Sequence, residues 1–495
     1  MFGVARGMLL MSYLGLSAAS DAFIVAYRIP NFLRKIFGEG ALSSAFVPTF
    51  VELARSGKKE QAEQLMSCAF LFFEGILTLV TCYVLYVPHT VLRIAPGLSP
   101  EQVAYALPLV RILFPFILFI SSSALLAGAL QSVHRFGVTA FAPIVFNIMY
   151  VTGLATCIMF SLDIHVLAYW IVTGGVFHFL YHLVFYWKHF SFGPLTRAAW
   201  KKFLSLLKKF GATIAGVSSY ELNMMMDALQ ASAFPKGSVG MLHYAGRFVG
   251  IPLGIFGVAF STVLLPRFSR TRLLAPSRLP YYLLESLKFV FWLLLPATAG
   301  LMFFAPHIFT SFLAGKATVF QIEMSAYILR VYAIGLIFYS ANRVIMNMLY
   351  ALHDSSVPTW TCLAATIANF MGNKLAVAYN VPAGIALSTV VTQAALMIVS
   401  LVMLYKRHAI PLYFSRFMSF VPRCLAHSGL VLGVYACLHT TSFSLLAHIL
   451  RGSWWHHFFF SSYGYWLVVA PLTAACFTLF YRTRHRLRVR LYFVS

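Results

Sequence analysis

The chain returns repeatedly to apolar runs of about 20 residues or more, the length an α-helix needs to cross a bilayer. Segments 137–160 and 382–405 carry no charge at all, and 104–132 carries a lone arginine. Hydrophobic residues make up 60% of the chain and charged ones 10%, against roughly 45–50% and 25% in soluble domains. A compact water-soluble enzyme could not bury this much apolar surface, and a disordered chain would need the opposite balance. A membrane barrel would show short alternating segments instead. The composition and run lengths therefore imply an all-α polytopic membrane protein.

Breaks at proline, glycine and charge give about fourteen transmembrane helices. They fall near 1–15, 20–54 (long and broken), 64–90, 104–132, 137–160, 164–188, 210–233, 239–266, 281–305, 323–352, 357–379, 382–405, 421–440 and 458–481. The formal charge is +24. Its basic residues gather in alternate loops, as at Lys201-Lys202, Arg267–Arg278, Lys406–Arg423 and the tail after Arg482. The positive-inside rule then puts both termini in the cytoplasm and accounts for the charge without nucleic acid. Within 197–209, Trp200, Phe203, Leu204 and Leu207 share a helical face flanked by lysines, the pattern of an interfacial amphipathic helix. The seven cysteines form no CxxC pair, and no HExxH, P-loop or GxSxG occurs in a usable context. The reading is a non-enzyme with core thiols and no catalytic residues.

The chain also repeats itself. GALSSAFVPTF at 40–50 echoes GVAFSTVLLPRF at 257–268, and LQSVHRFGV at 130–138 echoes LYALHDSSV at 349–357. Nearly one spacing separates Pro48 from Pro266 and His134 from His353. That spacing spans an even number of helices, so two six-helix lobes related by a pseudo-two-fold along the membrane normal are expected. The expected organisation is an N-terminal lobe at 1–190, a linker helix at 191–209 and a C-terminal lobe at 210–408. Two additional helices at 409–481 and a basic tail at 482–495 follow.

Charges inside the spans mark function, because an ionised group at the bilayer centre costs at least about 2.5–3.5 kcal/mol. The densest cluster, DAFIVAYRIPNFLRKIFGEG at 21–40, holds Asp21, Arg28, Arg34, Lys35 and Glu39. Arg6 and Arg247 lie on the first and eighth helices. Several guanidiniums facing one cavity suit a phosphate-bearing substrate, since guanidinium binds phosphate bidentately and keeps its charge. The alternative is snorkelling to the interface. Asp21 and Glu39 either hold the arginines in place or part from them during a switch. A second polar group comprises Asp227, Asn369, Asn373 and Thr389, whose oxygens suit a hard cation such as sodium or simply bond between helices. Glu221 and Lys374 are also intramembrane and could pair with each other or with Asp227. Glu74 is an intramembrane acid to which the sequence assigns no role.

The motifs SDAFIVAYRIPNFLRKIFGEGALSSAFVPTF, RILFPFILFISSSALLAGALQSVHRFGVTAFAPIVFNI, GSVGMLHYAGRFVGIPLGIFGVAFSTVLLPRFS and ALHDSSVPT resemble, in order, those of the MurJ (MviN) family of lipid II flippases. This family belongs to the multidrug/oligosaccharidyl-lipid/polysaccharide exporter superfamily. The resemblance implies fourteen helices and alternating-access transport of undecaprenyl-pyrophosphate-linked peptidoglycan precursor to the outer leaflet of the bacterial inner membrane. It implies cavity arginines at Arg6, Arg34 and Arg247 and a cavity aspartate at Asp21. It also implies a sodium site of Asp227, Asn369, Asn373 and Thr389 with a carbonyl near Ile385, and no other cofactor. The implied partners are lipid II and membrane lipids, with a monomer contacting the cell-wall synthesis machinery. Against the family pattern the first helix begins late, so 1–15 reads as truncated. Gly7 and Gly246 stand where relatives often carry an acid, and Asn373 where some carry aspartate. Rival readings are a flippase for another polyprenyl-linked oligosaccharide, a multidrug exporter, and a non-transporting scaffold.

Overall fold

In a computed structural model of the chain, residues 2–39, 49–54, 56–217, 219–449 and 464–484 are described. Regular structure among them is entirely helical. Ten helices among the described residues are long and apolar enough to cross a membrane, and the protein is a multi-spanning membrane protein. The chain divides into two compact units, Met1–His243 with Asn369–Ile385, and Tyr244–Ala368 with Ala386–Ser495.

The first unit contains α1 (Phe2–Leu14), α2 (Ala18–Glu39), α3 (Lys59–Tyr86), α4 (Pro100–Leu113), α5 (Phe116–Ser132), α6 (Phe136–Met159), α7 (Ile164–Trp187), α8 (Arg197–Val217) and α9 (Ser219–Gln230). Ser99 and Gln102 close a capping box at the start of α4, and the Asp163 carboxylate accepts from His165 N–H at 2.9 Å to start α7. Such caps satisfy backbone donors that the first turn leaves open. Gly153 lets α6 meet α7 closely, because a Cβ there would stand 2.5 Å from Trp170 Cβ. The basic stretch at 197–209 opens α8 rather than forming a separate linker helix. Its Phe203 and Leu206 are buried and Trp200 and Leu207 pack partly against the same cluster, which includes Phe50, Leu65, Met66 and Phe73. Leu204, expected on the apolar face, is instead 42% exposed.

α10 (Ser238–Pro252) begins in the first unit, and a π-helical turn, Leu253–Val258, joins it to α11 (Ala259–Leu274). The second unit holds α12 (Leu279–Leu313), α13 (Val319–Ala351), most of α14 (Ser356–Ala378) and α15 (Pro382–His408), then α16 (Phe414–Ile449) and α17 (Gly464–Thr483). Trp292 of α12 stacks on Phe480 of α17 with centroids 4.8 Å apart, and His427 of α16 also stacks on Phe480 at 4.5 Å. These contacts fasten the last two helices to α12.

The internal repeat appears in local structure. The spacing that separates His134 from His353 also separates Ser99 from Thr318 and Gln102 from Gln321, and both of these pairs form capping boxes. His134 and His353 share a left-handed φ of 59°, and Ser161 and Asn380 have φ values of 52° and 53°. Arg135 Nε donates to His189 Nε2 at 3.2 Å, and at the equivalent positions Asp354 Oδ2 meets His408 Nε2 at 2.8 Å.

Asp354 fastens the turn before α14. Its Oδ1 accepts from the Ser356 and Val357 N–H groups at 3.1 and 3.2 Å, while Arg407 Nε lies 3.5 Å from Oδ2. Burial alone would raise this carboxyl. The bonds from His408, Ser356 and Val357, with the Arg407 charge, outweigh it and bring the group from 3.8 down to about 2. A depressed carboxyl stabilises the fold above its unfolded value, and that contribution disappears as pH falls through the folded value. Asp354→Asn is therefore expected to cost about 1–3 kcal/mol at neutral pH. In thermal melts the gap between variant and wild type should close as pH falls from about 4 to about 2.

Candidate substrate and ion sites

Arg6 lies on α1, and its Nη1 donates to Asn147 Oδ1 of α6 at 3.1 Å. Its guanidinium carbon stands 4.8 Å from the Tyr150 ring centroid and 5.9 Å from that of Phe146. Asn147 Nδ2 in turn donates to Pro143 O at 2.8 Å, so its amide is oriented with the oxygen toward Arg6. Asn147 and Tyr150 were not singled out in the sequence. Their signal was spacing, since residues three apart share a helix face.

Asp21, near the start of α2, is 1% exposed. Its Oδ2 accepts from Gly237 N–H at 2.7 Å and from Gln102 Nε2 at 2.9 Å, and its Oδ1 accepts from Gly240 N–H at 2.8 Å. The carboxylate thus caps α10, where the helix dipole favours a negative charge. Gly237 has φ +91° and Gly240 allows close approach, since a Cβ there would meet Leu16 Cδ2 at 2.8 Å. Asp21 was expected beside an arginine or substrate. The structure instead surrounds it with three neutral donors, and it ties α2, α4 and α10 together. A second tie near this end joins Lys236 to Glu101.

Arg28 Nη2 donates to Met224 O of α9 at 3.0 Å. Arg34, Lys35 and Glu39 belong to the last turns of α2, and their side chains lie outside the described residues. Arg247 is on α10 in the second unit and is exposed.

The polar group on α9 and α14 does come together. Asn373 Nδ2 donates to Asp227 Oδ1 at 2.7 Å and to Asn369 Oδ1 at 3.4 Å. Asp227, Asn369 and Asn373 are buried, as are Ile385 in this unit and Thr389 in the other. Asn373 Oδ1 and Asn223 Oδ1 are buried without a hydrogen-bond partner. Asn223 precedes Asp227 by one turn, and this ELNMMMD spacing is a signal the sequence reading passed over. Lys374 lies over the Phe370 ring at 5.7 Å rather than pairing with Asp227, and the Glu221 side chain lies outside the described residues. One carboxylate with several amide oxygens matches the hard donor set of a small cation. The orphaned Asn373 oxygen fits such an ion, because an amide flip exchanges donor for acceptor at one position.

Replacing Asp21 by alanine leaves the Gly237 and Gly240 amides without their acceptor, at a cost of about 2–4 kcal/mol. A lower melting temperature and faster hydrogen exchange at those two amides are expected, while unchanged exchange would contradict the cap.

A family model described as lipid II flippase MurJ matches residues 10–463. The probable lipid II flippase MurJ of Buchnera aphidicola subsp. Acyrthosiphon pisum is 31% identical over 454 residues, covering 89% of this chain and 88% of that protein. The lipid II flippase MurJ of Burkholderia cenocepacia is 30% identical over 399 residues, covering 78% and 77%. Among solved structures, a lipid II flippase MurJ in an inward closed conformation superposes with a TM-score of 0.79 over 99% of this chain and 97% of that one, at 24% identity. An inward-facing multidrug resistance MATE family transporter reaches 0.70 over 84% and 95%, at 17% identity. These two likenesses concern the fold. The length and identity of the family match carry more, and on them the chain belongs to the lipid II flippase MurJ family.

Proposed function

We propose that this chain moves the undecaprenyl-pyrophosphate-linked peptidoglycan precursor from the cytoplasmic to the outer leaflet of the bacterial inner membrane by alternating access, with both termini cytoplasmic. The observation that carries this reading is Arg6, a guanidinium held within apolar helices by Asn147 and Tyr150. Its hydrogen bond to Asn147 uses one of five N–H donors. The rest suit the oxygens of a diphosphate, and the Asn147 amide fixes their direction. Arg34 and Arg247 complete the anion-binding set, with Arg28, Lys35 and Glu39 shaping the approach.

Asp21 closes the outer end in this scheme. While it caps α10, the α2–α4–α10 junction is shut, and outward opening breaks those bonds. The polyprenyl tail stays in lipid. An apolar groove of about 800 Å3 along α16, lined by Ala426, Gly429, Leu430, Gly433, Val434, Cys437 and Leu438, suits a hydrocarbon chain.

A sodium ion at Asp227, Asn369, Asn373, Thr389 and the Ile385 carbonyl, or the membrane potential, biases the return step. A bound sodium would supply a positive charge that neutralises Asp227 and draws α9 toward α14. The protein residues do the rest, by orienting amide oxygens and excluding water. The protein acts as a monomer contacting the cell-wall synthesis machinery.

Complementation of flippase-depleted cells tests the function. Wild type is expected to restore growth, and Arg6→Ala to abolish rescue while still inserting at normal levels. Arg6→Lys should recover only part, since a point charge cannot replace a bidentate fork. Rescue by Arg6→Ala would contradict the reading. Sodium at about 100 times its dissociation constant should stabilise wild type by about 2.7 kcal/mol over potassium. This shift should vanish in Asp227→Asn.

A further inference from the structure

The proposed cycle leaves one intramembrane acid without a task. Glu74 lies midway along α3, about 22 Å of helix from its first residue. Glu74 is half-buried, its Oε1 is enclosed and has no hydrogen-bond partner, and α5, which packs on α3, carries the Ser121 and Ser122 hydroxyls. Ser121 is fully buried, and its Oγ likewise has no partner. Other polar groups lie on α5 and α7. Ser123 Oγ meets His182 Nδ1 of α7 at 2.6 Å, and His182 Nε2 is buried without a partner. The His182 ring lies 5.1 Å from that of His178, and His178 lies 6.4 Å from Phe146, one of the rings under Arg6.

The charged surroundings are sparse. α5 carries no charged side chain, α4 carries Glu101 and Arg111, the short helix His89–Leu92 carries His89, and the described part of α8 carries Arg197, Lys201 and Lys202. On α3 itself, Lys59, Glu60 and Glu63 sit in its opening turns. Among the described residues none of these forms an ion pair with Glu74; Lys59 pairs with Glu63 at 3.9 Å. A carboxylate kept at this depth without a cation or a full set of donors is strongly disfavoured. A carboxylic acid sheds the charge and needs only an acceptor, which a serine hydroxyl provides.

We propose that Glu74 is a proton-binding site of the transport cycle. The carboxyl takes a proton from water entering the bundle on one side and returns it to water on the other. This inference rests on the transport reading and names one of its coupling ions. It is separate from the sodium site, which uses α9 and α14.

Two measurements on the full-length protein in bilayers test it. Infrared spectra of wild type at neutral pH should contain the C=O stretch of a protonated carboxylic acid, and Glu74→Gln should remove it. Absence of that band in wild type, or its persistence in Glu74→Gln, overturns the proposal. In liposomes holding lipid II, a proton gradient of one pH unit should change the wild-type translocation rate by up to about tenfold. Glu74→Gln should translocate at one rate with or without the gradient, and Glu74→Asp should keep the response. A Glu74→Gln response equal to wild type overturns the coupling. If wild type moves no lipid under any condition, the transport reading fails, and the infrared band still decides whether Glu74 holds a proton.

Discussion

Everything in this fold depends on satisfying polar groups where water is scarce. A chain this apolar offers few donors and acceptors beyond its own backbone, so each buried charge must find partners built into the helices. Asp21 does so with a helix end. Two backbone amides of α10 and the Gln102 side chain take up its carboxylate. Gln102 serves twice, because its Oε1 also accepts from Ser99 N–H at 2.8 Å to start α4. One carboxylate thereby fixes where three helices meet, with three neutral donors as its partners among the described residues.

Arg6 is the complementary case. It receives a single amide oxygen and the faces of two aromatic rings. Ring faces attract a guanidinium without consuming its in-plane donors. Such an arrangement holds the charge in place and leaves its hydrogen-bonding capacity for an anionic guest. Asp227 belongs between these cases, since its described partner is a neutral amide that can present either end. The cap at Asp21, the aromatic cage of Arg6 and the amide at Asp227 thus follow one rule applied to different partners.

The helices were legible because bilayer thickness imposes a length on every span, and the structure begins and ends most of them close to the expected positions. The repeat spacing was legible too, in that residues separated by it adopt the same caps and the same left-handed turns. The convergence of Asp227 with Asn369 and Asn373 could be anticipated only in part. One-turn spacing placed the two asparagines on one face, whereas the packing of α9 against them is a long-range fact that spacing does not encode. The partners of Asp21 were not legible for the same reason. Its partners are backbone amides more than two hundred residues away, and backbone donors leave no trace in residue type. The amphipathic stretch at 197–209 was assigned to lipid because periodicity identifies an apolar face without saying what covers it. The cluster around Phe73 and Met66 covers it instead.

The central claim is that a caged guanidinium grips a diphosphate while the lipid changes leaflets. The most direct test is transport by the purified, reconstituted protein of two lipids that differ only in carrying a pyrophosphate or a monophosphate link. Loss of one phosphate removes a bidentate partner and about one charge-assisted pair, worth about 1.5–3 kcal/mol. A preference for the pyrophosphate lipid of about tenfold or more that disappears in Arg6→Ala is the predicted result. Equal transport of both lipids by wild type, or a preference that survives without Arg6, would contradict it.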